Sequence, residues 1–303
     1  AKKGDSVVVL GLGRFGGAVA AELVRLGYDV LGIGYACVDY VTLVDRLPNL
    51  DEKMLVDNLL IQGGGPAATA MVTVARLGGK SALITNIAGD DIGREILAGL
   101  ANEKVDTSLT PVRPTGTSSF AFCMIEKGTG LRTIVGRPAE VAHLDPSEID
   151  LDAVRASRVL LIDGIDPPAH KAACLAAREA GVPVVYDAGN EKTGMDELVP
   201  LVDVVIASRG FGRDVAGSND PATAAERLFN PHGPAVAAVT AGVEGAFFRT
   251  AEGPFHQEAF PVDVVDTTGA GDAFHGGYAF ALARGMSARE CARFATAVAA
   301  LKC

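Results

Sequence analysis

The 303-residue sequence predicts an α/β fold with an open, mainly parallel sheet that helices cover on both faces. Two observations predict it. Short β-branched runs alternate with Ala- and Leu-rich stretches over most of the chain, with the spacing of β–α units. Several of the runs are apolar at nearly every position, as strands buried on both faces are. In such a sheet, ligands bind at the carboxyl ends of the strands.

The elements follow from these patterns in chain order. Strands are predicted at 7–10, 30–33, 81–86, 159–163, 182–187, 202–207 and 235–240. Helices are predicted at 14–27, 66–77, 91–102, 168–180, 221–229, 269–284 and 287–301. Segments 37–62 and 116–136 instead alternate with a period of two, which predicts antiparallel hairpins outside the main sheet. We interpret them as a small β lid over the strand ends; the alternative is an extension of the sheet edge.

The composition excludes several classes of protein. A formal net charge of −10 argues against a nucleic-acid or anionic-membrane partner. No run of apolar residues is long enough to span a bilayer, so no membrane partner is expected. The five cysteines are scattered without a CxxC pair, which indicates reduced thiols in a cytoplasmic protein.

A glycine-rich motif, DTTGAGDAF at 266–274, follows the apolar run 260–265 and opens a predicted helix. Glycines at a strand-to-helix turn let the backbone approach a ligand, and the free amides of the first helical turn bind anions such as a phosphoryl group. Asp272 at the helix start could accept a proton from an attacking hydroxyl. The alternative is that Asp272 only stabilises the helix N-terminus.

This nine-residue string resembles the second signature of the ribokinase-like (PfkB) family of carbohydrate kinases, and the resemblance extends over residues 30–303. It implies a ribokinase-like three-layer α/β/α sandwich with a small β lid at 37–62 and 116–136. It also implies that Asp272 is the catalytic base, and that the amides of residues 269–272 form an anion hole. Those residues are Gly269, Ala270, Gly271 and Asp272. Asp266 and Thr268 would lie near a monovalent-cation site, and Thr268 also near the nucleotide.

The resemblance assigns a second set of residues to the sugar. Asp39 would bind sugar hydroxyls, since one carboxylate can accept two hydrogen bonds; the alternative is a solvated loop charge. In the string GGGPAAT (63–69), Gly64, Gly65 and Thr69 match the sugar-binding turn. Most sugar kinases have asparagines where this chain has Pro66 and Thr69, so the substrate of ribokinase or fructokinase cannot be transferred to it.

Two arginines and a glycine turn complete the predicted site. Arg132 and Arg137 follow the lid hairpin, where similar positions face the phosphate of the substrate or the donor; both could equally be ordinary surface arginines. Thr240, Gly242 and Gly245 resemble the family's T-x-G-x-x-G nucleotide turn. The cofactors implied are ATP, Mg²⁺ and, if a monovalent cation is used, K⁺.

The family's N-x-x-E motif, which helps to place magnesium, is absent. Residues 208–211 read Ser-Arg-Gly-Phe instead. A kinase needs metal neutralisation of ATP, so either Asp187, Asn190 or another carboxylate substitutes, or activity is reduced.

The N-terminus resembles a different family. The string GLGRFGG (11–17) follows the predicted strand 7–10 and resembles the start of an RCK/TrkA Rossmann domain. A dinucleotide site needs an acidic residue about 20 positions later, where this chain has Gly34. We therefore expect residues 1–29 to be a fused Rossmann-like β–α fragment, followed by the kinase domain at 30–303.

The expected function is that of an ATP-dependent carbohydrate kinase acting on a small-molecule sugar, with homodimerisation through the lid. Three strings resemble sulfofructose kinases and indicate a ketose, a sugar phosphate or a sulfo-sugar: GGGPAAT (63–69), VDVVDTTGAGD (262–272) with Phe274-His275-Gly276, and AVAALKC (297–303). Two alternatives remain open, a nucleoside kinase of the same fold and a non-enzymatic nucleotide-sensing module.

Overall fold

The computed structural model describes residues 27–189, 194–230 and 233–303. Its strands are β1 (Val30–Ile33), β2 (Cys37–Val44), β3 (Leu60–Gly64), β4 (Ser81–Ile84), β5 (Ile87–Ala88), β6 (Val112–Arg113), β7 (Phe120–Glu126), β8 (Arg132–Arg137), β9 (Val159–Ile162), β10 (Val184–Ala188), β11 (Val204–Ser208), β12 (Val236–Thr240), β13 (Ala246–Thr250) and β14 (Gly253–Gln257). The central sheet has the order β14-β13-β12-β11-β10-β9-β1-β4. From β12 to β4 all neighbours are parallel, which confirms the predicted mainly parallel sheet.

Helices cover both faces of this sheet. They are α1 (Pro66–Arg76), α2 (Asp91–Asn102), α3 (Leu151–Ala156), α4 (Pro167–Ala180), α5 (Met195–Leu198), α6 (Arg209–Ala216), α7 (Pro221–Leu228), α8 (Ala270–Ala283) and α9 (Ala288–Lys302). Successive strand residues point to opposite faces, so Leu31 and Ile33 pack into one apolar cluster and Val30 into another. The first cluster includes residues of α4 and α7, and the second includes residues of α1, α8 and α9. The result is a three-layer sandwich.

Short side chains at the helix ends explain where several helices begin. Asp90 accepts a hydrogen bond from the Gly93 amide at 2.8 Å and starts α2. Ser287 and Glu290 form a capping box that starts α9. Both signals are local in sequence, which is why the predicted bounds of these helices lie within one residue of those observed.

The lid is a separate four-stranded sheet with the order β3-β2-β7-β8. The pairs β2–β3 and β7–β8 are antiparallel, as predicted, and the parallel pairing of β2 with β7 joins the two segments. This confirms the lid interpretation over an extension of the main sheet. The strand β3 runs to Gly64 and leads directly into α1, so the lid is continuous with the predicted sugar-binding turn.

The structure differs from the prediction at 260–265. This apolar run is not a strand, and its side chains are exposed, Val265 to 76%. The amides of Val265 and Asp266 donate to the main-chain oxygen of Cys303, at 2.8 and 3.2 Å, instead of pairing with a strand. The glycine motif therefore follows an extended segment, and the edge of the sheet is formed by the hairpin β13–β14, which was not predicted.

Four sequence predictions lie wholly or mostly outside the described residues. The strand at 7–10 and most of both the helix at 14–27 and the Rossmann-like fragment at 1–29 fall on residues 1–26, and Asn190 falls between the described ranges 27–189 and 194–230. No helix in the described part of the chain combines the length and the apolar character needed to cross a membrane.

Candidate active site

The motif at 266–274 forms the N-terminal turn of α8. The helix begins at Ala270, and Gly269 precedes it with a φ of 76°, a left-handed conformation that favours glycine. The first amides of an α-helix have no partner within the helix and carry partial positive charge. Gly271 is exposed, and both Gly269 and Ala270 are half-buried, so a ligand can reach this turn. The turn can therefore bind an anionic group.

A cavity of about 480 Å³ lies between this turn, α1 and the lid. It brings together seven residues that the sequence analysis assigned to the site: Asp39, Gly64, Gly65, Thr69, Thr268, Gly269 and Asp272. Asp39 comes from β2 of the lid, whereas Asp272 comes from α8. Two carboxylates from different parts of the fold thus line the same cavity, beside an anion-binding turn.

Asp272 is half-buried, and its pKa is raised to about 6. Burial is the main cause, and the carboxylate of Asp187 adds to it by repulsion, as Asp39 does more weakly. The charges of His275 and Arg132 act in the opposite direction. A carboxylate with this pKa is ionised at neutral pH and is still basic enough to accept a proton from an attacking hydroxyl.

His275 fixes the first turn of α8 against the central sheet. Its Nδ1 lies 2.7 Å from the Gly271 oxygen and 3.2 Å from Asp187 Oδ2, while its Nε2 lies 3.1 Å from the Ile206 oxygen. The ring is buried, and burial lowers its pKa. No role is predicted for His275 from the sequence, although it lies in the string 274–276 of the family resemblance and about one helical turn after Asp272.

The lid contacts the motif through one of the two predicted arginines. Arg132 Nη1 donates to Thr267 Oγ1 at 3.3 Å. Arg137 instead donates from Nη2 to the Ser118 oxygen at 3.2 Å, and its guanidinium lies 4.8 Å from the centre of the Phe120 ring. The structure therefore brings Arg132 to the glycine motif and places Arg137 elsewhere.

Residues 29–303 match the sequence model of the pfkB family of carbohydrate kinases. The chain belongs to this family. A ribokinase from Haemophilus influenzae is 28% identical over 276 residues, which are 89% of this chain and 90% of that protein. A nucleoside kinase from Methanothermobacter thermautotrophicus is 24% identical over 276 residues, which are 89% of this chain and 88% of that protein.

A crystal structure supports the same assignment. It is that of a protein from Agrobacterium tumefaciens assigned provisionally as a ribokinase, and it matches with a TM-score of 0.84 and 28% identity over 91% of each chain. The ribokinase-like fold is thereby confirmed. The chain is a PfkB-family kinase, a phosphotransferase that acts on a hydroxyl group of a carbohydrate or nucleoside.

We expect kcat/KM of this kinase for its acceptor to fall as the pH decreases through about 6. Only the ionised form of Asp272 can accept a proton, and because the pKa is raised, that form is lost below about pH 6. The check is a profile of kcat/KM from about pH 5 to about pH 8. In Arg132→Met, which removes a neighbouring positive charge that lowers the pKa of Asp272, the acid limb should move to higher pH. An unmoved limb would contradict this account of the pKa.

The predicted nucleotide turn joins β12 to β13. Thr240 ends β12, and its Oγ1 donates to the Ala207 oxygen at 3.3 Å; Gly242 and Gly245 follow it in the turn. None of these three residues lines the 480 Å³ cavity. Thr240 is paired with Ser208 at the carboxyl end of β11, the edge where open α/β sheets bind ligands. Nucleotide binding at this turn stays a prediction.

The residues in place of the N-x-x-E motif have structural partners. Ser208 caps α6, because its Oγ accepts from the Phe211 amide at 3.1 Å, and it donates to the Gly189 oxygen at 2.8 Å. Arg209 forms an ion pair of 2.5 Å with Glu244 of the predicted nucleotide turn. This segment therefore supplies a helix cap and a cation, and no carboxylate.

The described ranges contain no group of three or more His, Cys, Asp or Glu side chains that could hold a metal ion. Mg²⁺ bound with a nucleotide keeps several waters and needs only one or two carboxylates besides the phosphates. Asp187 fits that requirement, since it is a hard oxygen donor whose buried Oδ2, although 3.2 Å from His275 Nδ1, forms no hydrogen bond. Burial raises its pKa to about 7, which a bound divalent cation would reverse.

One further residue of the cavity was missed by sequence analysis. Lys302, in the last turn of α9, lines the cavity together with Asp272 and Gly269. Its Nζ donates to the main-chain oxygen of Asp266 at 2.9 Å and lies 3.4 Å from Asp266 Oδ2. The string 297–303, which contains Lys302, carries part of the family resemblance. It does not indicate that this side chain reaches Asp266, 36 positions earlier.

Proposed function

We propose that this kinase transfers the γ-phosphoryl group of ATP to a hydroxyl group of a sugar that Asp39 binds and Asp272 deprotonates. The observation that carries the proposal is the common cavity of Asp39, Asp272 and the N-terminal turn of α8. The two oxygens of Asp39 suit the adjacent hydroxyls of a sugar. The turn of α8 suits the transferred phosphoryl group.

The chemical step uses the base and the turn together. The attacking hydroxyl gives its proton to the Asp272 carboxylate as its oxygen bonds to the γ-phosphorus. The bond from the γ-phosphorus to the β–γ bridging oxygen breaks, and ADP leaves with that electron pair. The amides of residues 269–272 stabilise the negative charge of the phosphoryl oxygens. Mg²⁺ bound with ATP near Asp187 would neutralise phosphate charge.

The acceptor that we propose is a ketose or its phosphate or sulfonate derivative. Pro66 and Thr69 replace amide side chains that most sugar kinases offer to the sugar, so the cavity differs chemically from theirs. Arg132 places a cation from the lid beside the glycine motif, which favours an acceptor that carries a negative group.

An ADP-release assay with a panel of acceptors tests the proposal. The panel contains fructose, ribose, sulfofructose, fructose phosphates and nucleosides, each with ATP and Mg²⁺. Turnover of a ketose or a derivative with the highest kcat/KM is the expected result. A preference for nucleosides would favour the nucleoside kinase, and ATP binding without turnover of any acceptor would favour a nucleotide-sensing module.

We also infer that the kinase forms a homodimer through the face of the lid that carries Phe122. Ile61, Tyr40, Phe122 and Val135 are consecutive cross-strand neighbours on that face. Three of them are 49–59% exposed: Ile61, Phe122 and Val135. A contiguous apolar patch of this kind is typical of an interface. Light scattering should give the mass of a dimer, and Phe122→Ser should shift it towards the monomer; a monomeric wild-type protein would contradict the inference.

A further inference from the structure

We propose that Lys302 supplies the positive charge which the family resemblance assigns to a monovalent metal ion near Asp266, and that phosphoryl transfer proceeds without such an ion. The inference rests on the proposed function, because it concerns the charge beside the same anion-binding turn. It names Lys302 as a further functional residue of the site.

The ammonium group occupies the oxygens that a monovalent ion would need. Lys302 Nζ is 2.9 Å from the main-chain oxygen of Asp266 and 3.4 Å from its Oδ2. The other carboxylate oxygen, Oδ1, accepts a hydrogen bond from the Thr268 amide at 2.8 Å. All three oxygens of Asp266 are therefore near a donor.

The ion pair is built into the fold. The side chains of Lys302 and Asp266 are 33% and 24% exposed, so both are partly shielded from water. The amides of Val265 and Asp266 donate to the Cys303 oxygen, which fixes this segment against the end of α9. Partial burial disfavours the ionised form of Asp266, but hydrogen bonds from Thr268 and the charge of Lys302 outweigh it and lower its pKa.

The position of the ammonium suits the reaction. Lys302 lines the cavity beside Asp272, and its Cε lies 3.9 Å from the point that a β-carbon on Gly269 would occupy. A fixed cation next to the first turn of α8 adds to the positive electrostatic potential of the helix amides. Both would stabilise the negative charge that develops on the phosphoryl group. A metal ion at the same oxygens would be repelled by the ammonium.

In the three described ranges no group of three or more acidic, cysteine or histidine side chains could hold a metal ion, so Asp266 does not belong to a carboxylate-rich metal cluster. A lysine ammonium is a compact charge with three hydrogen-bond donors. Lys302 can therefore bind two oxygens of Asp266 and still face the cavity.

The test measures kcat and the KM for ATP with and without K⁺, at constant ionic strength kept by tetramethylammonium. Wild-type kcat should change less than about twofold on removal of K⁺, whereas Lys302→Met should lose about tenfold or more in kcat. Part of that loss should return on addition of K⁺, NH₄⁺ or methylamine. Lys171→Met is the matched control, since Lys171 forms an exposed ion pair with Glu197 and does not line the cavity.

Other outcomes would contradict either the role of Lys302 or the proposed function, and the two can be told apart. A wild-type enzyme that needs K⁺, or a Lys302→Met variant with wild-type kcat in its absence, would overturn the role of Lys302. A wild-type enzyme inactive on every acceptor in both buffers would instead overturn the proposed function. Thermal unfolding gives a second readout: K⁺ should not shift the wild-type melting temperature relative to tetramethylammonium, and a specific stabilisation would contradict the inference. If Lys302→Met fails to fold, Lys302→Gln, which keeps a polar side chain without the charge, replaces it.

Discussion

Asp272→Asn should lower kcat by about three orders of magnitude, because a general base contributes on the order of 10²–10⁴ and the amide cannot accept the proton. ATP should still bind with an affinity within a few-fold of the wild type, since the substitution leaves the amides of the α8 turn in place. Single-turnover kinetics and calorimetric titration of ATP separate the two effects. Asp152→Asn, at an exposed surface carboxylate on α3, is the control and should behave as wild type.

The same substitution should stabilise the fold at pH 8. The pKa of Asp272 is raised from 3.8 to about 6, so the neutral form is favoured in the folded state. The neutral form of Asp272 contributes stability that is complete below the unfolded pKa of 3.8. That contribution is lost as the pH rises through the folded pKa of about 6. Above that, the ionised carboxylate costs on the order of 3 kcal/mol, which asparagine avoids. Urea unfolding at pH 8 and pH 5 should show a larger gain in stability at pH 8.

Near-normal activity of Asp272→Asn would exclude Asp272 as the base.

The parts of the fold that sequence predicted are those with local causes. The apolar strands 30–33 and 159–163 and the capped helix 91–102 carry their signals within a few residues. The glycine motif likewise predicts a helix N-terminus through its own glycines. The run 260–265 misled the prediction because apolar composition alone cannot show whether a partner strand is available.

The contacts that complete the site depend on distant packing. Lys302 meets Asp266, and His275 meets Asp187, only because α8 and α9 pack against the sheet in one particular way. In neither pair does the sequence separation match the period of a helix or a strand, so no local pattern predicts the contact. Asp39 and Asp272 could be placed in one cavity only through the family resemblance, since nothing in their spacing predicts it.

Gly64→Ala should raise the KM for the sugar by about 10- to 100-fold, the loss expected when a hydrogen-bonded charged group no longer meets its ligand. A β-carbon on Gly64 would lie 2.5 Å from Asp39 Cγ and 2.8 Å from its Oδ1. The carboxylate must therefore rotate away. Because it is the mobile end of a side chain, the fold should lose little stability, and the KM for ATP should stay unchanged.

Gly63 offers a matched control in the same strand. A β-carbon there would meet no atom within 4 Å, so Gly63→Ala should keep the wild-type KM for the sugar. A double-mutant cycle then tests the mechanism. If Gly64→Ala acts only by displacing Asp39, it should cause no further loss in an Asp39→Ala background. Additive losses would mean that Gly64 contacts the sugar through its own backbone, and that the position of Asp39 is not what this glycine protects.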